Sequence, residues 1–196
     1  MTSKSFPLTI LRAKPADAVA RALLAVVGDI PASSQNTVKV PLTAAQHLTR
    51  VAARKAAMTS GSLAMAPGPL GLFTLLPDLI AVWRIQSQLV SDIAAVYGQH
   101  GTLTREHMLY CLFKHTASQA VRDLVVRAGE RYLIKHASLA LIQAIARKLG
   151  VTVSKKMIGG GISRFLPVVG AMGVGGYAYY DTTKVAATAI ELFEKS

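Results

Sequence analysis

The chain has 196 residues, 52% of them hydrophobic and 6% aromatic, with 22 Lys and Arg against 10 Asp and Glu for a formal net charge of +12. That length supports one domain with a substantial core, and an apolar excess made of Ala, Val, Leu and Gly suits closely packed helices better than an aromatic-rich sheet. The single Cys111 excludes an internal disulfide and is compatible with a reducing compartment, and so few carboxylates leave little room for a paired acid–base site.

Residues 1–14 lack periodicity and read as an arm; Lys4, Arg12 and Lys14 interrupt them before any long apolar run, against a secretory signal. A short helix is expected from Lys14-Pro15-Ala16-Asp17, with Val19, Leu23, Val26 and Val27 on one side, ending at Gly28. Residues 31–41 are polar and bounded by prolines, and read as a linker. The organisation is thus an arm, short helix and linker over 1–41 and a helical domain over 42–196. Thr43-Ala44-Ala45-Gln46 has the form of a capping box, which places Thr43 at the N-cap of a helix running to about Ser60. That helix carries His47, Arg50, Arg54 and Lys55, with Arg50 and Arg54 on one face.

From Gly61 to Gly101 the chain is apolar and punctuated by Gly and Pro, with one basic residue, Arg84. The uncharged run Ala56–Pro77 is long enough to span a bilayer, for which about 20 residues suffice. It contains Pro67, Pro69 and Pro77, however, which favour a buried or interfacial hairpin over a simple spanning helix. Leu76-Pro77-Asp78 reads as a helix start, because Pro suits the first turn and Asp meets the unpaired N–H groups there. This helix should stop at Tyr97-Gly98, with Asp92 facing solvent and Arg84 meeting either a carboxylate on another helix or a phosphate.

Thr102 or Thr104 caps the next helix, expected to reach about Ala128 with Met108, Leu112, His115 and Gln119 in one stripe. Another spans about Glu130 to Leu149, closed by Arg147-Lys148 and Gly150. Lys155-Lys156 and Gly159–Gly161 precede a second Leu-Pro element, in which Gly161 to Pro167 repeats the spacing of Gly71 to Pro77. A Gly-rich run follows, in which Ala171 and Gly175, and Met172 and Gly176, are spaced for close helix contact. A final helix is expected over about Asp181 to Glu194. Only Val38-Lys39-Val40 could pair briefly as a strand. The expected fold is an all-α, single-domain helical bundle with two Gly/Pro-interrupted apolar elements at its centre, marked by Leu76, Pro77 and Asp78 and by Leu166, Pro167 and Gly170.

Leu76-Pro77-Asp78-Leu79, Arg84, Asp92 to Gly98, Leu166 to Ala171 and the Ala-rich last helix resemble the EcsC protein family. More distantly they are similar to the helical domain that follows the GTPase module of some bacterial membrane-associated GTPases. The resemblance covers roughly residues 45–194. It implies a bacterial, largely helical protein associated with membranes or transporter operons, and it brings no catalytic residues.

Charge placement adds to this. Residues 1–60 carry a net +6 and 102–157 a net +7, whereas 61–101 sum to −1 and 158–196 to zero. Basic segments beside apolar ones suit an anionic lipid surface; solubility is the plainer account. The candidate lipid or phosphate ligands are Arg50, Arg54, Lys55, Arg84, Lys155 and Lys156. His107, Cys111 and His115 fall at i, i+4 and i+8, a weak metal candidate, since on a straight helix one ion could take two of them but not comfortably all three. The glycines lack P-loop or dinucleotide spacing. No cofactor is implied. The expectation is a non-enzymatic, cytoplasmic protein peripheral to the membrane that binds anionic lipid through its basic helices. The alternative is an adaptor for a transporter or GTPase partner. Nucleic-acid binding, suggested by a pI of about 10.1, lacks a recognition motif.

Overall fold

Gly71–Val96 forms the helix that the others surround. From Leu89 to Val96 every residue except Asp92 is buried, so its C-terminal half is enclosed nearly all round, with Gln86, Ser87 and Ser91 among the buried residues. The computed structural model describes residues 21–22, 24–26, 28–63, 71–115, 147 and 167–195. We number α1 as Pro41–Leu63, α2 as Gly71–Val96, α3 as Arg105–Phe113 and α4 as Pro167–Glu194. α1 packs on both α2 and α4, its contact with α4 being the most extensive, and α3 closes the far end against α2 and α4. The fold is all-α, with no strand among the described residues.

The core lies where α2, α3 and α4 meet. Val90, Ile93, Met108, Leu112, Val185 and Phe193 are buried together, and Trp83 meets Phe113 edge to face with ring centroids 5.7 Å apart, the geometry that aligns a positive ring edge with a negative face. A second, smaller contact brings Ala56 of α1, Val82 of α2 and Ala178 of α4 together. The stretch Leu79–Val96 is long and apolar enough to cross a membrane, yet 67% of it is buried inside the protein, as befits a core helix. The described parts of the uncharged run, 56–63 and 71–77, belong to the end of α1 and the start of α2, two helices packed on each other.

Two element ends follow the sequence closely. α2 stops at Tyr97-Gly98, where Gly98 has φ +76° and its N–H donates to the Ala95 carbonyl at 2.9 Å while that of Gln99 donates to Ala94 at 2.7 Å. This is a Schellman closure, and the left-handed residue it needs is most easily glycine. Of the two threonines before α3, Thr104 is the cap. Its hydroxyl accepts from the His107 N–H, and the His107 ring accepts in return from the Thr104 N–H.

Other boundaries differ from expectation. α1 begins at Pro41, not after Thr43, because proline at the first helical position forfeits no hydrogen bond and has its φ preset. α2 begins at Gly71, so Leu76-Pro77-Asp78 lies inside it and does not start it. Pro77 removes one rung of the backbone ladder, a cost of about 3 kcal/mol in a helix interior. Its ring is exposed, and burial along the rest of α2 outweighs the loss. α3 ends at Phe113, short of Ala128, with Lys114 and His115 in a turn. α4 begins at Pro167 and runs unbroken through the Gly-rich run to Glu194, so that run and the final helix are one element. The two Leu-Pro signals therefore have different roles, Pro167 at a helix start and Pro77 inside a helix. Gln119, Lys155, Lys156 and Leu166 lie outside the described residues, as does the 130–149 helix apart from Arg147, which is helical and exposed.

Residues 31–38, read as part of a linker, lie as an extended strap against the C-terminal half of α2. Ser91 Oγ donates to the Pro31 carbonyl at 2.9 Å, Gln88 Nε2 to Ala32 at 2.9 Å, and Ser33 Oγ to Asp92 Oδ1 at 2.6 Å. Further on, the Val38 N–H donates to the Val96 carbonyl at 3.2 Å. That bond ties the strap to a helix end, and Val38-Lys39-Val40 forms no strand. Asp92 is thereby part-buried under the strap and also accepts from Gln88; it does not simply face solvent.

Candidate functional site

At 100° per residue, His47, Arg50, Val51, Arg54, Lys55 and Met58 fall within about 140° of the surface of α1. All six are exposed, whereas Ala45, Ala53, Ala56 and Ser60 on the opposite side are buried against α2 and α4. The small residues Ala and Ser let α1 lie close to its neighbours and leave its long side chains on the outer face. Val51 is 54% and Met58 77% exposed, and they lie among the three cations. None of Arg50, Arg54 and Lys55 has an ionic partner among the described residues. The outer face of α1 thus mixes unpaired cations with exposed apolar side chains.

Arg84 does not join this face. Val82 packs toward α1 and α4 through Ala56 and Ala178, and Arg84, two residues on, projects about 200° away round the helix. It is exposed and has no carboxylate partner among the described residues. Of the apolar-centre residues, Leu76, Pro77 and Asp78 are helical in α2, and Pro167 and Gly170 are helical in α4. The close contact suspected of the glycines is made by Gly175, where a Cβ would stand 2.9 Å from the Ala57 carbonyl oxygen; Gly173 and Gly176 face open space.

His107, Cys111 and His115 have three separate settings. His107 is occupied by the α3 cap, and burial holds its imidazole below the ordinary value, with Glu106 opposing. Cys111 is fully buried, which pushes its thiol far up and keeps it protonated, the wrong form for a metal ligand. His115 Nε2 meets Asp181 Oδ1 at 2.8 Å. Gln86 Nε2 donates to the other oxygen of Asp181 at 2.8 Å, joining α2, α4 and the end of α3 in one polar knot. Lys114 and Lys195 both bind Glu191, at 2.8 and 2.9 Å, and hold its carboxyl at about 2.

Sequence reasoning missed a tyrosine-bearing face on α4, where Val174, Tyr177 and Tyr180 fall within about 120° of the helix surface and are exposed; Tyr179 is also exposed, on another side of the helix. Its signal was present, since three tyrosines within four positions of an otherwise small-residue run are hard to bury against close-packed neighbours. It also missed the depression between the strap and α1, lined by Val38, Val40, Ala44 and Leu48 with His47 and Arg50.

These features define an all-α protein with a strapped core helix and a mixed cationic and apolar outer face on its first long helix. The EcsC protein family matches residues 12–195, and the chain belongs to that family. The match takes in the short helix and the strap as well as the four numbered helices. No curated protein and no solved structure matches the chain.

Proposed function

We propose that this protein is a non-enzymatic, cytoplasmic membrane-peripheral protein that binds anionic lipid surfaces through the outer face of α1. The observation that carries this reading is the setting of Arg50, Arg54 and Lys55, exposed and without ionic partners among the described residues, around exposed Val51 and Met58. Each cation near an anionic surface contributes about 1 kcal/mol, and the two apolar side chains add a term that salt does not screen. The net charge of +12 draws the whole molecule toward such a surface.

Flotation of the purified protein with neutral and with anionic vesicles tests this. The expected outcome is much stronger binding to anionic than to neutral vesicles, with the anionic binding weakened at least roughly 30-fold by Arg50→Glu with Arg54→Glu, from the loss of about 2 kcal/mol for two cations. Binding unchanged in that double variant would remove α1 from the account.

A second reading, an adaptor for a transporter or GTPase partner, is favoured by the exposed Val174, Tyr177, Tyr179 and Tyr180 of α4, since tyrosine is enriched at protein interfaces. Under it, association would persist without anionic lipid and fail on Tyr177→Ser.

A further inference from the structure

The depression between the strap and α1 is a shallow, open trough with a volume of about 560 Å³. Its apolar lining is Val38 and Val40 from the strap side and Ala44 and Leu48, one turn apart, from α1, with His47 and Arg50 beside them. Val38 is 40% and Val40 62% exposed. The wall is fixed in advance, because the Val38 N–H bonds to the Val96 carbonyl and Thr37 Oγ1 lies 3.4 Å from that of Ala95. An apolar trough with a free guanidinium beside it complements one kind of molecule, an anion with a hydrocarbon tail.

We infer that this groove takes a single acyl chain of an anionic phospholipid, with the phosphate held by Arg50 and His47 and the chain lying on Val38, Val40, Ala44 and Leu48. The inference rests on the reading of α1 as a lipid-facing helix and deepens it from adsorption to recognition of one lipid molecule. Arg50 belongs to both the outer face and the groove, so a bound headgroup would sit at the level of the membrane surface with its chain drawn along the protein.

The test is a titration of the ¹⁵N-labelled full chain, below the micelle concentration, with dodecyl phosphate, inorganic phosphate and dodecyl maltoside. Dodecyl phosphate is expected to shift the amides of Val38, Val40, Ala44, Leu48 and Arg50 and to bind at least tenfold tighter than either of the others. Shortening the chain should weaken it roughly fourfold per methylene withdrawn from the groove. Val40→Asp, at an exposed position, should weaken dodecyl phosphate at least tenfold while leaving the circular dichroism of the protein unchanged. Shifts that map elsewhere, an equal response to inorganic phosphate, or unchanged binding by Val40→Asp would overturn the groove. Failure of the two readings is distinguishable. Vesicles ignored while dodecyl phosphate fills the groove would sink the surface reading and support the groove, and vesicles bound without any groove shifts would sink the groove alone.

Discussion

A Cβ built on Gly175 would stand 2.9 Å from the carbonyl oxygen of Ala57, whereas one on Gly176 would meet nothing within 4 Å. Alanine is the better helix former by about 1 kcal/mol, so the two substitutions should differ in sign. Gly175→Ala forces backbone against backbone, and the separation of α1 from α4 that follows is expected to cost about 1–3 kcal/mol. Gly176→Ala should stabilise by up to about 1 kcal/mol. Urea denaturation of both variants checks this, and equal effects would mean that the close approach at Gly175 does not matter. The sequence marked Gly175 and Gly176 alike, as second members of two pairs spaced by four. Spacing identifies a face that can be approached closely, but which glycine is approached depends on the rotation of α4 against α1, which no local signal encodes.

The strap shows the same difficulty in an element. Read alone, residues 31–41 are polar, proline-bounded and without periodicity, the marks of a linker. What makes them ordered lies some sixty positions away, in Gln88, Ser91 and Asp92, a polar stripe at helical spacing on the most buried part of α2. Such a stripe on the buried part of a helix is a legible signal, since buried polar groups must find partners, but it does not say which segment supplies them. Asp92 accepts from both Ser33 and Gln88, and hydrogen bonds to a charged group contribute roughly 1.5–3 kcal/mol each when buried. Asp92→Ala is therefore expected to destabilise by about 1–3 kcal/mol, at the low end because the site is only part-buried, and to open residues 31–38 to limited proteolysis. Proteolysis that still spares the strap would show that the bonds from Ser91 and Gln88 to its carbonyls hold it unaided. By contrast the Gly98 closure was legible, and the cap of α3 was narrowed to Thr102 or Thr104, because both are decided within a few residues of the chain. The start of α2 was not, because Pro77 was weighed by its local preference while the burial that carries the helix through it is tertiary.

At the scale of the whole molecule, the all-α class followed from composition and period, and the separation of basic from apolar segments was visible in the order of charges. What the sequence could not show is that Val51 and Met58 face outward with Arg50, Arg54 and Lys55, since an apolar residue is assigned to the core unless its neighbours are known. Under the proposed lipid reading, that arrangement would give surface binding two components with different salt responses. The Debye length falls from about 8 Å at physiological ionic strength to about 3 Å at 1 M, so the charge component should nearly vanish in high salt while the burial of Val51 and Met58 persists. Flotation with anionic vesicles is therefore expected to weaken at 1 M salt but to remain measurable. Replacing Val51 and Met58 together with serine should leave low-salt flotation largely intact and abolish the salt-resistant part, because the cations still adsorb and nothing inserts. A double variant that retained salt-resistant binding would move the inserted apolar contact away from α1. The exposed tyrosines of α4 are the surface to substitute next, since aromatic side chains of that kind sit readily at the level of lipid headgroups.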